Sequence, residues 1–473
     1  MLKDLFKGSA IYGITPFIPR IITVLILPIM TKYMTSTDYG IIGTITSITF
    51  AVQALHDLGL KALLPNYFYK CRCQYKVMWR EIYGFLSLWM ILYAAIQAVL
   101  LYFFIPKEAE SNKWLIIILS NFSTVFFGPT SMIGHMYYQL SLKPAPVAIR
   151  GLASGIITIL ANFVCVVYFK WGYMGAYVGS FAGHFLVNAS YWPVINRKLG
   201  LSPIYNFKWK TIKKVLKVSL PTVPHYYTTY LMNSTNVVAM NYYDRSQAEI
   251  GHLSMAQNIN NMFNTVINAV NQVFSPMSYR FIREKNTSEM KRLLLTYLLI
   301  TYSLTFLYGL WSKEAYGILI SNEELASTYK YSIILAMALN YRPLYVYSSI
   351  YFFYHEKTVQ LLGITLASGI ICTVFYFTMT PYWGTNAAVL GFYIGCLYYG
   401  FSGYFYRFYR EHTIYKVKWW FFLIAQVVLT CIAYFFVDAN ILIKIGISMA
   451  FITSVLLVFH KHVKVSVFKM IKK

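Results

Sequence analysis

The chain has 473 residues, of which 58% are hydrophobic and 12% charged, and its mean hydropathy is +0.52. So little polar surface excludes a soluble globule of this size and fits a protein whose solvent is mostly lipid. The net charge of +25, from 41 Lys and Arg against 16 Asp and Glu, would suggest nucleic acid in a soluble protein. In a membrane protein it marks cytoplasmic loops, and no nucleic-acid partner is expected.

A membrane-spanning helix needs roughly 20 apolar residues. Fourteen such stretches follow in chain order: 9–30, 39–60, 82–105, 114–139, 147–169, 172–194, 215–241, 248–272, 293–311, 326–354, 358–379, 384–406, 418–437 and 440–460. Lipid offers the backbone no hydrogen-bond partners, and continuous apolar runs of this length read as helices rather than barrel strands. The first stretch is too long, and too polar at Pro16, Pro19 and Arg20, for a cleaved leader, so it reads as a retained helix. The expectation is an all-α polytopic membrane protein of about 14 transmembrane helices. There is no room for a soluble catalytic domain, and no enzymatic motif is present. Cys71 and Cys73 form a C-x-C with no second pair or nearby His, so neither a metal nor a cofactor is expected.

The segments between spans on the side of the N-terminus carry 31 Lys and Arg, and those on the opposite side carry eight. This asymmetry predicts that both termini are cytoplasmic. Two cations, Arg20 and Arg342, fall inside spans.

The chain also repeats itself. Leu152-Ala153-Ser154-Gly155-Ile156-Ile157 recurs as Leu366-Ala367-Ser368-Gly369-Ile370-Ile371, and Trp171-Gly172 recurs as Trp383-Gly384. Pro16-x-x-Pro19 recurs as Pro221-x-x-Pro224, and Pro65 corresponds to Pro276. Four matches in one order mark a duplication. Its unit holds six helices, an even number, so both copies share one orientation and an axis along the membrane normal relates them. The predicted organisation is a six-helix lobe over 1–194, a basic cytoplasmic linker over 195–217, a second six-helix lobe over 218–410, and two extra helices with a basic tail over 411–473. The linker reads as an amphipathic helix on the anionic inner leaflet.

The eighth span is the least lipid-like. At 100° per residue, Gln257, Asn260, Asn261, Asn264, Asn268, Asn271 and Gln272 fall within an arc of roughly 120°. An unpaired buried amide costs about 1–3 kcal/mol. One or two amides suit bonding between helices; seven on one face suggest the wall of a hydrated cavity. The seventh span carries a similar stripe of Thr222, His225, Tyr226, Thr229, Asn233 and Asn236. The first carries Tyr12, Pro16, Arg20 and Thr23, and the second ends on His56 and Asp57. The repeat makes these helix pairs counterparts, expected to meet across the axis. The candidate substrate-binding residues are Arg20, Thr23, His225, Thr229, Asn233, Asn236, Gln257, Asn260, Asn261, Asn264 and Asn268.

Arg20 is the sharpest of them. An Arg near a helix centre costs about 2.5–3.5 kcal/mol on insertion scales, so it must face a cavity, a carboxylate or carbonyls. The repeat aligns it with His225, each directly after the second Pro of P-x-x-P. Two basic groups facing one cavity suit an anionic ligand, most naturally a phosphate; the alternative is an internal pair with Asp57. Arg342, followed by Pro343, is open between a ligand contact and a structural role. His56 and Asp57 are open between an ion-coupling site and a helix cap.

Lys7-Gly8-Ser9-Ala10-Ile11-Tyr12, Pro28-Ile29-Met30-Thr31 and Asp38-Tyr39-Gly40 resemble the polysaccharide flippases of the Wzx type. These belong to the multidrug/oligosaccharidyl-lipid/polysaccharide exporter superfamily. The resemblance implies a V-shaped, two-lobed transporter of the bacterial cytoplasmic membrane, not an enzyme. Such proteins move undecaprenyl-diphosphate-linked oligosaccharide from the inner to the outer leaflet by alternating access. It also implies membrane lipids, a polysaccharide polymerase and chain-length machinery as partners. Arg20 resembles a first-helix Arg of the peptidoglycan-precursor flippases, but Ile21 stands where those have Asp, which favours an O-antigen, capsule or exopolysaccharide unit as cargo. The competing readings are a cation- or proton-coupled multidrug antiporter, which usually places carboxylates in the cavity, and a membrane-embedded glycosyltransferase or polymerase.

Overall fold

The computed structural model describes residues 17–62, 64–70, 74–141, 143–220 and 223–462. Among them there is no strand, and every regular element is a helix. The helices in order are α1 (Phe17–Tyr33), α2 (Ser36–Gln53), α3 (Leu64–Lys70), α4 (Tyr75–Phe104), α5 (Lys113–Leu140), α6 (Pro144–Asn162) and α7 (Gly172–Pro193). After a basic connection come α8 (Trp209–Ser219), α9 (Val223–Asn233), α10 (Thr235–Tyr242), α11 (Gln247–Arg283), α12 (Thr287–Leu310), α13 (Ser312–Leu319) and α14 (Glu323–Ala326). The chain continues through α15 (Tyr329–Ala338), α16 (Arg342–Tyr354), α17 (Thr358–Trp383), α18 (Thr385–Phe401), α19 (Arg407–His412), α20 (Trp419–Phe436) and α21 (Ile441–His462).

Seven segments are long and apolar enough to cross a membrane outright: Tyr75–Phe104, Lys107–Leu140, Ala145–Tyr168, Thr287–Leu310, Thr358–Trp383, Trp419–Phe436 and Ile441–His460. The described parts of the other expected spans are largely helical too, but they are shorter, interrupted or polar on one face. Three of them depart from the sequence expectation. The stretch 39–60 stops being helical at Gln53, and its last residues form a turn with Leu58 and Gly59 at φ 50° and 72°. The stretch 215–241 is interrupted by a turn at Ser234, between α9 and α10, and 326–354 is interrupted by a 3₁₀ turn at Leu339–Tyr341. Conversely, the amide-rich stretch 248–272 extends to a 37-residue helix.

The chain divides into two compact units: residues 1–230 with 246–251, and residues 231–245 with 252–473. In the first, Leu58, Leu60, Trp79, Leu86, Ile133, Ile195, Ile212 and Val215 form one buried cluster. A second cluster joins Ile41, Ile45, Leu101, Ile116 and Met174. In the second unit, Phe306, Ile333, Met337, Ala433 and Val437 pack α12, α15 and α20 together. α20 and α21 otherwise leave most of their apolar surface uncovered, as lipid-facing helices do.

The repeated motifs have a physical cause in each unit. Gly172 and Gly384 both adopt φ +52°, a conformation that strains any residue with a Cβ. Each lets the chain reverse into the next helix after a Trp. A Cβ on Gly183 would meet Thr158 and the Ser154 carbonyl; one on Gly395 would meet Cys372 and approach the Ser368 carbonyl. The Ser-Gly motif and the facing glycine thus form one close helix crossing, used twice.

Asp38, in the D-Y-G motif, serves two helices. It completes a capping box with Thr35 at the start of α2, accepting the Thr35 N–H at 2.8 Å. Its other oxygen accepts the Tyr173 N–H at 2.9 Å, in the first turn of α7. Both helix starts thereby gain acceptors for N–H groups that have no partner within their helix.

Candidate functional site

α11 has a sequence-imposed division of labour. Ile250, Leu253, Ala256, Ile259, Ile267 and Phe274 are buried, while the amides run along another face. Gln257 Nε2 donates to the carbonyl of Asn233, the last residue of α9, at 3.2 Å. Gln257 therefore joins helices. Asn260 is buried, and its Oδ1 has no partner. Asn261 is exposed, and Asn264 and Asn268 are half-buried. Asn236 is packed away completely; its Oδ1 accepts from the Val237 N–H and its Nδ2 is unpaired.

Asn264 Oδ1 accepts a hydrogen bond from Arg342 Nη1. The interruption at Leu339–Tyr341 is what brings Arg342 there, as the first residue of α16. The buried Gln426 of α20 donates to Met337 O, just before the interruption, at 2.6 Å. Asn340 accepts from Thr305 Oγ1 at 2.7 Å. The helix break is thus fixed on both sides by buried amides. Tyr345, one turn on from Arg342, stacks on Tyr399 at 3.5 Å between ring centroids. Among the described residues Arg342 forms no ion pair with a carboxylate.

In the first unit, the turn after α2 holds His56 and Asp57. Asp57 Oδ1 accepts the Gly59 N–H at 3.0 Å, so this carboxylate shapes the turn. His56 packs edge-on against Tyr93 and lies beside Gly128. Thr23 and Thr229 are exposed on α1 and α9. The side chains of Arg20, His225 and Thr222 lie outside the described residues, as do Pro16, Pro221 and the Cys71-x-Cys73 motif.

Ion pairs gather away from these groups. Asp438, between α20 and α21, accepts from Lys330, Tyr329 and Lys313 at 2.9, 2.7 and 3.0 Å. Those bonds hold its carboxyl well below the usual carboxylate range. Lys444 is fully buried and pairs with Glu314 at 2.7 Å. At another connection, burial pushes the His355 imidazole below its ordinary value, with His412 and Lys357 adding to the effect. A small pocket of about 270 Å³ lined by Asn112, Leu115, Trp171, Met174 and Val178 contains none of the candidate residues. The Arg342–Asn264 pairing, the second role of Asp38 and the buried Lys444 are features that local sequence patterns did not single out.

The helical order, with broken polar helices among apolar ones, defines a multi-span membrane fold. It is similar to the lipid II flippase MurJ in an inward-closed conformation: TM-score 0.68 at 15% identity, over 90% of this chain and 98% of that one. It is also similar to an inward-facing multidrug resistance MATE family transporter of the MOP superfamily, with TM-score 0.60 at 12% identity over 88% and 98% of the two chains. The Vibrio cholerae MATE transporter VcmN gives TM-score 0.51 at 12% identity over 86% and 96%. The fold is that of the MOP exporter superfamily. Residues 5–282 match the family described as polysaccharide biosynthesis protein, and the chain belongs to that family. No curated protein sequence matches it significantly.

Proposed function

We propose that this protein is a flippase that carries undecaprenyl-diphosphate-linked oligosaccharide from the inner to the outer leaflet of the bacterial cytoplasmic membrane, by alternating access, for surface polysaccharide assembly. The observation that carries the reading is Arg342, bonded to the Asn264 amide and, among the described residues, in no ion pair with a carboxylate. A guanidinium so placed keeps donors available for an anion and matches a phosphate bidentately. The amides of α11 beside it offer donors and acceptors to sugar hydroxyls. Arg20 of α1 and His225 of α9 are proposed to bind diphosphate as well. The family, whose description is polysaccharide biosynthesis, supports a glycan cargo, and the fold supports transport rather than catalysis.

The charge asymmetry supports cytoplasmic termini, so that a Cys placed at Asn112 reacts with an external reagent and one at Lys210 does not. The functional test is deletion of the gene followed by complementation at equal protein levels. Loss of surface glycan, restored by the wild type but not by Arg20→Ala, supports the reading. Unchanged surface glycan in the deletion strain contradicts it.

A further inference from the structure

α8 presents three separate faces. Ile212 and Val215 are buried at 1% and 2% exposure, in the same cluster as Leu58, Leu60 and Leu64. At 100° per residue, Lys210, Lys213, Lys214 and Lys217 span an arc of roughly 100° centred opposite that buried face. All four are exposed. Trp209 and Leu220 share the flank between the two faces, at 59% and 44% exposure. Trp209 is held there by its ring contact with Phe85 of α4.

The ordinary reading of a lysine face is solvation. Two observations go beyond it. Residues 195–243 contain no Asp or Glu, so nothing nearby in sequence neutralises the four charges. An exposed Trp and Leu also border the lysines on one side, the arrangement of a helix whose apolar edge sits at the acyl boundary while its cations reach headgroup phosphates.

We infer that α8 is a docking surface for anionic phospholipid, with Lys210, Lys213, Lys214 and Lys217 on the headgroup phosphates and Trp209 and Leu220 at the acyl boundary. Its buried face packs with Leu58, in the turn that carries His56 and Asp57. Lipid bound at α8 therefore steadies that turn from outside. The inference does not depend on the cargo, and its failure leaves the flippase reading intact.

The test uses the full chain in neutral-detergent micelles, titrated with fluorescently labelled phosphatidylglycerol and followed by anisotropy. Replacing the four lysines by Gln is expected to weaken binding on the order of tenfold or more, since each cation near an anionic surface contributes severalfold. Replacing them by Arg is expected to retain it. A control that removes the same charge elsewhere, Arg283, Lys285, Lys357 and Arg410 to Gln, is expected to bind as the wild type does. Unlabelled phosphatidylglycerol should displace the probe, whereas phosphatidylcholine and inorganic phosphate should not. Should the fourfold variant melt early, the Lys213→Gln/Lys217→Gln double variant takes its place. Wild-type binding by the lysine variants, equal loss in the control, or displacement by inorganic phosphate overturns the inference.

Discussion

Gly40 and Gly251 pack reciprocally. A Cβ on Gly40 would lie 1.8 Å from the Gln247 carbonyl oxygen, and one on Gly251 would lie 1.8 Å from that of Ser36. The two helices cross backbone to backbone, as small residues allow within membranes, and Thr44 Oγ1 donates to Gln247 Oε1 at 3.2 Å beside them. Gly251→Val has no room at this crossing. A disulfide between Thr44→Cys and Gln247→Cys should form readily in the otherwise native chain and poorly when Gly251→Val is added. Equal yields would show that the crossing is loose.

The amides of α11 separate into two kinds. Gln257 donates to the Asn233 carbonyl of α9, so Gln257→Leu should cost about 0.6–1.7 kcal/mol of stability, the range of bonds between membrane helices. Asn261 is exposed, and Asn261→Leu should leave thermal stability unchanged while reducing transport. Melting of the purified variants, set against surface glycan in complemented cells, distinguishes the two.

The buried pair Lys444–Glu314 predicts an asymmetric cycle. Lys444 is fully buried, whereas Glu314 is 34% exposed. Glu314→Gln strands a buried ammonium and should cost about 3 kcal/mol or more. Lys444→Met should cost less, because water reaches the remaining carboxylate. The double variant should be milder than Glu314→Gln alone. Thermal melting of the three variants checks the order.

Asp438 predicts a dependence on acid. Its folded carboxyl is held below the unfolded value by Lys330, Tyr329 and Lys313. The stabilisation is therefore present above about pH 4 and is lost as pH falls through the still lower folded value. Being 41% exposed, it contributes about 0.5–1 kcal/mol. Asp438→Asn should narrow the gap in melting temperature between pH 7 and pH 3, and high salt should reduce its effect at pH 7.

The apolar runs carried the all-helical membrane fold, because length and hydropathy are local properties. Trp171-Gly172 and Trp383-Gly384 were legible as a repeat, and their shared φ of +52° explains it. The breaks in 215–241 and 326–354 were not legible. They are held by Gln257 and Gln426, which are distant in sequence and act only once the helices pack. The early end of the second span at Gln53 was hidden in the same way, since the turn that follows is held by Asp57 and by the burial of Leu58. For Arg342, local pattern left two roles open; its partner is 78 residues away.

The most direct test of the account is transport by the purified full chain in proteoliposomes. A fluorescent undecaprenyl-diphosphate oligosaccharide is placed in both leaflets, and the fraction shielded from an external quencher is followed over time. The wild type should move label across the bilayer, Arg342→Ala should not, and Arg342→Lys should do so slowly, because an ammonium cannot bind a diphosphate as a planar fork. Movement by Arg342→Ala at the wild-type rate, or none by a folded wild type, would contradict the account.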